Sequence, residues 1–104
     1  MIPSVSLTDV VKALEELVEE GSIDDINIFL VFVMGYLAYL WRVGLIDGRE
    51  LSKLVKKLMK YVTEFIEYVD KDVVELMSVL GDELNEVSFR EFLSRLIIFL
   101  REPH

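Results

Sequence analysis

The stretch from Ile26 to Trp41 constrains this chain more than any other, because it is apolar on nearly every side. Asn27 is its only strongly polar residue. A helix that is apolar all round is either enclosed by other helices or placed in a membrane. Extended to Ile46 and interrupted only by Asn27 and Arg42, the stretch reaches the length that a bilayer requires. The rest of the chain decides between the two readings.

Three further segments carry apolar residues at helical spacing on one side, and each such stripe needs a partner to cover it. They cover about residues 7–20, 48–80 and 88–101. Each helix is preceded by a hydroxyl or carboxylate residue with an acid three positions later, which is typical of a capped helix start. These residues are Ser6, Ser22, Asp47 and Ser88. Gly21 and Gly44 follow the first two helices, where a left-handed residue ends a helix.

All three stripes can face the apolar stretch, which explains why it lacks a polar side. We therefore predict an all-α fold, a compact bundle of four or five helices around a central hydrophobic helix at about residues 23–43. The whole chain, residues 1–104, forms a single domain. The phase of the stripe holds across Asp70 and Asp72, yet either acid can cap a new helix. We expect two helices here, at about 48–69 and 71–80.

Composition argues against several kinds of chemistry. The chain has no Cys, which excludes disulfides and thiolate metal sites, and its one His is the terminal His104. No glycine-rich phosphate loop occurs, and the carboxylate pairs lie on polar helix faces. We predict a protein that is not an enzyme, with no catalytic residue, no metal site and no cofactor. The absence of a secretory signal favours a cytoplasmic location, and the absence of Cys fits a thermophile or viral source.

The predicted function is protein–protein interaction by a small acidic module, as an adaptor, an accessory subunit or a self-assembling homodimer. Three short helices do not suffice to cover the central helix, so one of its flanks is left to dock a protein partner or a second copy. We expect a homodimer or a partnered subunit rather than a monomer. The candidate partner-binding residues are Met34, Tyr36, Tyr39, Trp41, Tyr61, Tyr68 and Ile98.

A basic face supplies the first alternative, a nucleic-acid-associated accessory protein. Five cations lie opposite the apolar stripe of the third helical segment: Arg49, Lys53, Lys56, Lys57 and Lys60. Two observations argue against nucleic acid as the partner. The chain carries 11 Lys and Arg against 19 Asp and Glu, a net charge of −8, whereas nucleic-acid binders are usually basic. No aromatic residue is interleaved on this face, as binders of single strands prefer.

Two further alternatives concern the fold. The first is a small membrane protein spanned by the apolar stretch, although three capped one-sided helices favour a core. The second is a degenerate EF-hand-like domain without metal, since the segments 44–50 and 87–92 resemble the ends of calcium loops. Calcium needs six or more oxygen ligands. The ligand positions counted back from Glu50 would be Tyr39, Trp41 and Val43, so we interpret both segments as helix caps.

Overall fold

The computed structural model describes residues 6–82 and 84–101, and these form five α-helices without a strand. The helices are α1 (Leu7–Glu20), α2 (Ile23–Arg42), α3 (Gly48–Val62), α4 (Lys71–Gly81) and α5 (Glu86–Arg101). A 3₁₀ segment, Thr63–Tyr68, joins α3 to α4. The predicted all-α bundle is confirmed.

α2 packs against α1, α3 and α4, while α4 also packs against α3 and α5. The shared core is mainly aliphatic, with Phe92 and Phe99 of α5 as its buried aromatic residues. Burial of this apolar surface is the main favourable term in folding. The stripes of α1, α3 and α4 therefore cover one side of α2, whereas α5 packs mainly on α4, so the prediction that every stripe faces the central helix is wrong for α5.

The predicted caps at Ser6 and Asp47 are confirmed, whereas Ser22 makes no side-chain cap at the start of α2. The Ser6 side chain accepts a hydrogen bond from the Asp9 amide, and the Asp47 side chain accepts one from the Glu50 amide at 2.8 Å. Gly21 ends α1 with a φ of 70°, the left-handed conformation that glycine adopts without strain. The predicted cap at Ser88 is wrong by one turn. Asn85, directly before α5, caps the helix instead, and its Oδ1 accepts hydrogen bonds from the amides of Val87 and Ser88.

The segment predicted as one helix over 48–69 ends earlier, at Val62. Phe65 has a non-helical backbone conformation, with φ −132° and ψ 34°, and the chain then becomes extended at Val69. α4 begins at Lys71, as predicted. The prediction of two helices instead of one is confirmed, but the junction between them is longer than the periodicity indicates.

Asn27 holds this junction against α2. Its side chain is 3% exposed and donates hydrogen bonds to the carbonyls of Ile23 at 2.9 Å and Tyr68 at 3.1 Å. Its Oδ1 accepts a hydrogen bond from the Asp70 amide at 2.7 Å. A buried amide is stable only when its donors and acceptors are satisfied, so this residue specifies where the 3₁₀ segment meets α4.

Candidate interaction surface

The outer face of α2 is apolar and open to solvent. Phe32 is 74% exposed and Tyr39 is 56% exposed. Ile28, at 43%, and Val43, at 49%, extend the same stripe toward the two ends of the helix. We call these four residues the outer stripe. Single exposed apolar residues are ordinary, but several of them along one face of a helix are typical of an interaction surface.

The inner face of α2 explains why the outer stripe is exposed. The buried residues of the helix recur at helical spacing on the opposite side: Ile26, Asn27, Leu30, Val31, Met34 and Ala38. These buried residues lie where α2 packs on its neighbouring helices, whereas the outer stripe is exposed in the described part of the chain. The central helix is thus covered on one face and uncovered on the other within the described residues.

No charged residue interrupts the outer stripe. Between Asp25 and Arg42 the sequence contains neither an acid nor a base. Gly35 lies midway along the helix, and a Cβ atom built on it would meet no atom within 4 Å. The middle of the face is therefore both open and uncharged, which suits close approach by a second apolar surface.

A second apolar face adjoins the C-terminal end of α2. The Trp41 ring packs against Phe89 at the start of α5, with 5.3 Å between the ring centroids, and the Arg42 guanidinium lies 5.7 Å above the Phe89 ring. Steps of three and four residues continue the Phe89 side of α5 through three exposed aliphatic residues. These are Leu93, Ile97 and Leu100. The side of α5 that contacts α2 is thus apolar beyond the contact itself.

The structure distributes the predicted partner-binding residues unevenly. Tyr39 belongs to the outer stripe, and Tyr36 lies half-buried beside it. Met34 is 0% exposed, so its placement on an exposed flank is wrong, because it falls on the inner face with Leu30 and Ala38. Trp41 is half-buried by its contact with Phe89.

The remaining three candidates lie outside the outer stripe. Tyr61 lines a cleft of about 310 Å³ between α1 and the end of α3, together with Phe65. Tyr68 is exposed at the end of the 3₁₀ segment, and Ile98 is exposed on α5. The structure therefore does not gather these residues into one surface with Tyr39.

The basic face is present as a solvated surface. All five cations, Arg49, Lys53, Lys56, Lys57 and Lys60, are exposed on α3. None of them forms an ion pair with a described residue, whereas Arg42 pairs with Glu86 and Arg95 pairs with Glu75 and Glu91. In the described part of the chain, no group of three or more acids and histidines could hold a metal ion.

Sequence reasoning predicted an uncovered flank of the central helix but did not assign Ile28, Phe32 and Val43 to it, because the apolar stretch has no polar side from which to tell its faces apart. One signal could have found them. Asp25, Phe32 and Tyr39 stand seven residues apart, and seven residues make nearly two helical turns. Since an unpaired acid at a helix start belongs in solvent, the face that it shares with Phe32 and Tyr39 is the outer one.

α2 is also the one helix of the described residues that is long and apolar enough to cross a membrane, with a mean hydropathy of 1.6. The core helix of a soluble protein and a membrane-spanning helix can both meet these criteria of length and composition. No family model matches the chain, and no curated protein or solved structure is detectably similar to it.

Proposed function

We propose that this protein is a small, non-enzymatic protein–protein interaction module that docks an apolar helical surface of another protein chain onto the outer face of α2. The observation that carries the proposal is Phe32, a large aromatic side chain that is 74% exposed at the middle of a charge-free helix face. Aromatic residues in the centre of an apolar patch supply most of the binding free energy in many protein interfaces.

The remaining features of α2 support the same proposal. Its inner face already packs in the core, so the chain does not need to bury the outer stripe in order to fold. The net charge of −8 keeps a chain with this much apolar surface soluble. Charged residues stand at both ends of the face, with Asp24 and Asp25 in the first turn of α2 and Arg42 in the last, as at the rim of an interface.

Photo-crosslinking from position 32 tests this function without knowledge of the partner. Phe32 is replaced by a benzophenone-bearing phenylalanine, and the protein is irradiated both purified and in cell extract. We expect protein adducts that disappear when Tyr39→Asp is added on the same face. The control probe replaces Lys53, which is exposed on α3, and we expect no adducts there that depend on Tyr39.

The proposal fails if the probe at position 32 gives no adduct in either sample, or if Tyr39→Asp leaves the yield of adducts unchanged. Circular dichroism of each variant shows whether helix content is retained, so a loss of adducts cannot be mistaken for unfolding.

The basic face supports a second candidate function, association with nucleic acid. Five exposed cations without an ion-pair partner in the described residues form an electrostatic surface on α3. Binding through phosphates weakens steeply with salt. Retention on DNA or RNA at low salt, lost when Lys53, Lys56 and Lys60 are changed to Ala, supports this candidate, and no retention at low salt excludes it.

A further inference from the structure

We infer that the occupant of the outer face is a second copy of this chain, paired antiparallel about a two-fold axis between Gly35 and Tyr36. This inference rests on the proposed docking function and adds the partner, the orientation and the register. It follows from the positions of the outer stripe, from the charges at the ends of α2 and from the open centre of the face.

The outer stripe is symmetric about its middle. Phe32 precedes Gly35 by three positions and Tyr39 follows Tyr36 by three, while Ile28 and Val43 stand seven positions away on either side. In an antiparallel two-fold pair, a residue before the centre faces the residue equally far beyond the centre on the other copy.

Each aromatic residue of the stripe thus meets its counterpart. Phe32 lies opposite Tyr39 of the second copy, and this pair occurs twice in the dimer. Offset or edge-to-face aromatic pairs are favoured over aromatic rings left in water. At the outer ends, Ile28 lies opposite Val43 of the second copy, so apolar side chains face each other along the full stripe.

Gly35 lies beside the two-fold axis, where the two helices come closest. Its missing side chain leaves space on the outer face, since an added Cβ would touch nothing in its own chain. Small residues at a helix crossing allow the two backbones to approach each other. Glycine lowers the stability of an isolated helix, which the closer contact between copies offsets.

The charges at the helix ends favour the antiparallel orientation. Asp24 and Asp25 lie in the first turn of α2, and Arg42 lies in the last turn. Antiparallel pairing brings the acidic start of each helix toward the basic end of the other, whereas parallel pairing would place acids beside acids. Arg42 also forms an exposed ion pair with Glu86 at 2.9 Å, and its guanidinium has donors left for a second carboxylate.

The size of the face predicts a weak dimer. A 20-residue helix is roughly 30 Å long and about 10 Å wide, so α2 alone covers less than the roughly 800 Å² per partner of a standard interface. The exposed Phe89 side of α5 adds apolar surface at the C-terminal end of α2. We expect a dissociation constant in the micromolar range, with monomers in dilute solution and dimers in concentrated solution.

Cysteine crosslinking tests the register, because the chain has no Cys of its own. The variants are Phe32→Cys, Tyr39→Cys and Gly35→Cys, each oxidised alone, and an equimolar mixture of the first two. Antiparallel pairing predicts a covalent dimer in the mixture and in Gly35→Cys alone. It predicts at least about tenfold less dimer from Phe32→Cys or Tyr39→Cys alone, because identical positions are then about 10 Å apart along the axis.

A different pattern overturns the inference. If Phe32→Cys alone crosslinks as well as the mixture, the pairing is parallel or unspecific. If the mixture gives no covalent dimer and the unmodified chain stays monomeric by light scattering up to about 1 mM, far above a micromolar dissociation constant, the occupant is not a second copy.

Failure of this inference can be told apart from failure of the docking function. A monomeric chain whose position-32 probe captures a different protein in extract, with loss of capture in Tyr39→Asp, retains the docking function and rejects the dimer. A chain that captures no protein but floats with phospholipid vesicles through Phe32 rejects both, since the face then serves a membrane. Unchanged circular dichroism of the cysteine variants confirms that they are folded.

Discussion

The Oδ1 atom of Asn27 accepts a hydrogen bond from the backbone amide of Asp70 at 2.7 Å, across 43 positions of the chain. The same side chain donates to the carbonyl of Tyr68. One amide group on α2 therefore satisfies both backbone groups that become free where the 3₁₀ segment ends and α4 begins. The only polar residue of the apolar stretch fixes the position of the bend between α3 and α4.

Asn27→Ala removes all three hydrogen bonds and leaves the Asp70 amide and the Tyr68 carbonyl without their partner. We expect the free energy of unfolding to fall by about 2–3 kcal/mol, measured by urea denaturation at a concentration where the chain is monomeric. The control is Thr63→Ala, which removes an exposed hydroxyl that donates to the Met59 carbonyl one turn earlier in the chain. Equal losses for the two variants would contradict the role of Asn27 at the junction.

The acids that precede α3 and α4 make different contacts, so we expect their removal to lower the free energy of unfolding by different amounts. Asp47 accepts a hydrogen bond from the Glu50 amide, whereas Asp70 forms no such side-chain cap. We expect Asp47→Ala to lower the free energy of unfolding by about 1 kcal/mol and Asp70→Ala by only about 0.3 kcal/mol, through the helix dipole. Thermal unfolding of the pair checks this order, and a larger loss for Asp70→Ala would reverse it.

Phe32 and Met34 are two positions apart on α2 but face opposite sides, so their substitutions separate folding from association. Phe32→Asp changes an exposed residue and should alter the free energy of unfolding by no more than about 0.5 kcal/mol. Met34→Asp buries an unpaired charge in the core and should unfold the chain. Circular dichroism and denaturation of both variants test the assignment of the two faces, which fails if Phe32→Asp is as damaging as Met34→Asp.

We expect Gly35→Ala to stabilise the folded monomer and to weaken self-association. The added methyl group meets nothing in the chain and should stabilise the monomer by about 0.5–1 kcal/mol. It also occupies the closest approach of the two helices, so the dissociation constant of the dimer should rise several-fold. Gly81→Ala is the matched control, since its Cβ would make ordinary contacts with Val55 and Met59 inside the core. Gly81→Ala should leave association unchanged, and stronger association of Gly35→Ala would contradict the register.

The fold could be predicted from periodicity and caps, because each helix carries its own stripe and its own end signals. Helix α1 follows those signals at both ends, and α4 begins at Lys71 as predicted although Asp70 makes no side-chain cap. The end of α3 could not be predicted, because the stripe continues in phase through Val62 and Phe65 and the bend depends on the distant Asn27. Local sequence patterns cannot show a hydrogen bond formed between residues so far apart in the chain.

The candidate surface was harder to predict than the fold. An apolar stretch without polar residues gives no periodicity from which to assign its inner and outer sides. Tyr39 was identified because tyrosine favours interfaces, whereas Phe32 was overlooked because phenylalanine is usually buried. The packing of α1, α3 and α4 against the inner side of α2 shows which side of the helix stays open, and the helical phase of Asp25 is the sequence signal that agrees with it.

Light scattering of the unmodified chain and of Phe32→Asp, from about 1 µM to about 1 mM, tests the central claim most directly. We expect the mass of the unmodified chain to rise from that of a monomer to that of a dimer, while Phe32→Asp stays monomeric with the same helix content. An unmodified chain that remains monomeric over the whole range, or a Phe32→Asp variant that dimerises equally well, would contradict pairing through the outer stripe.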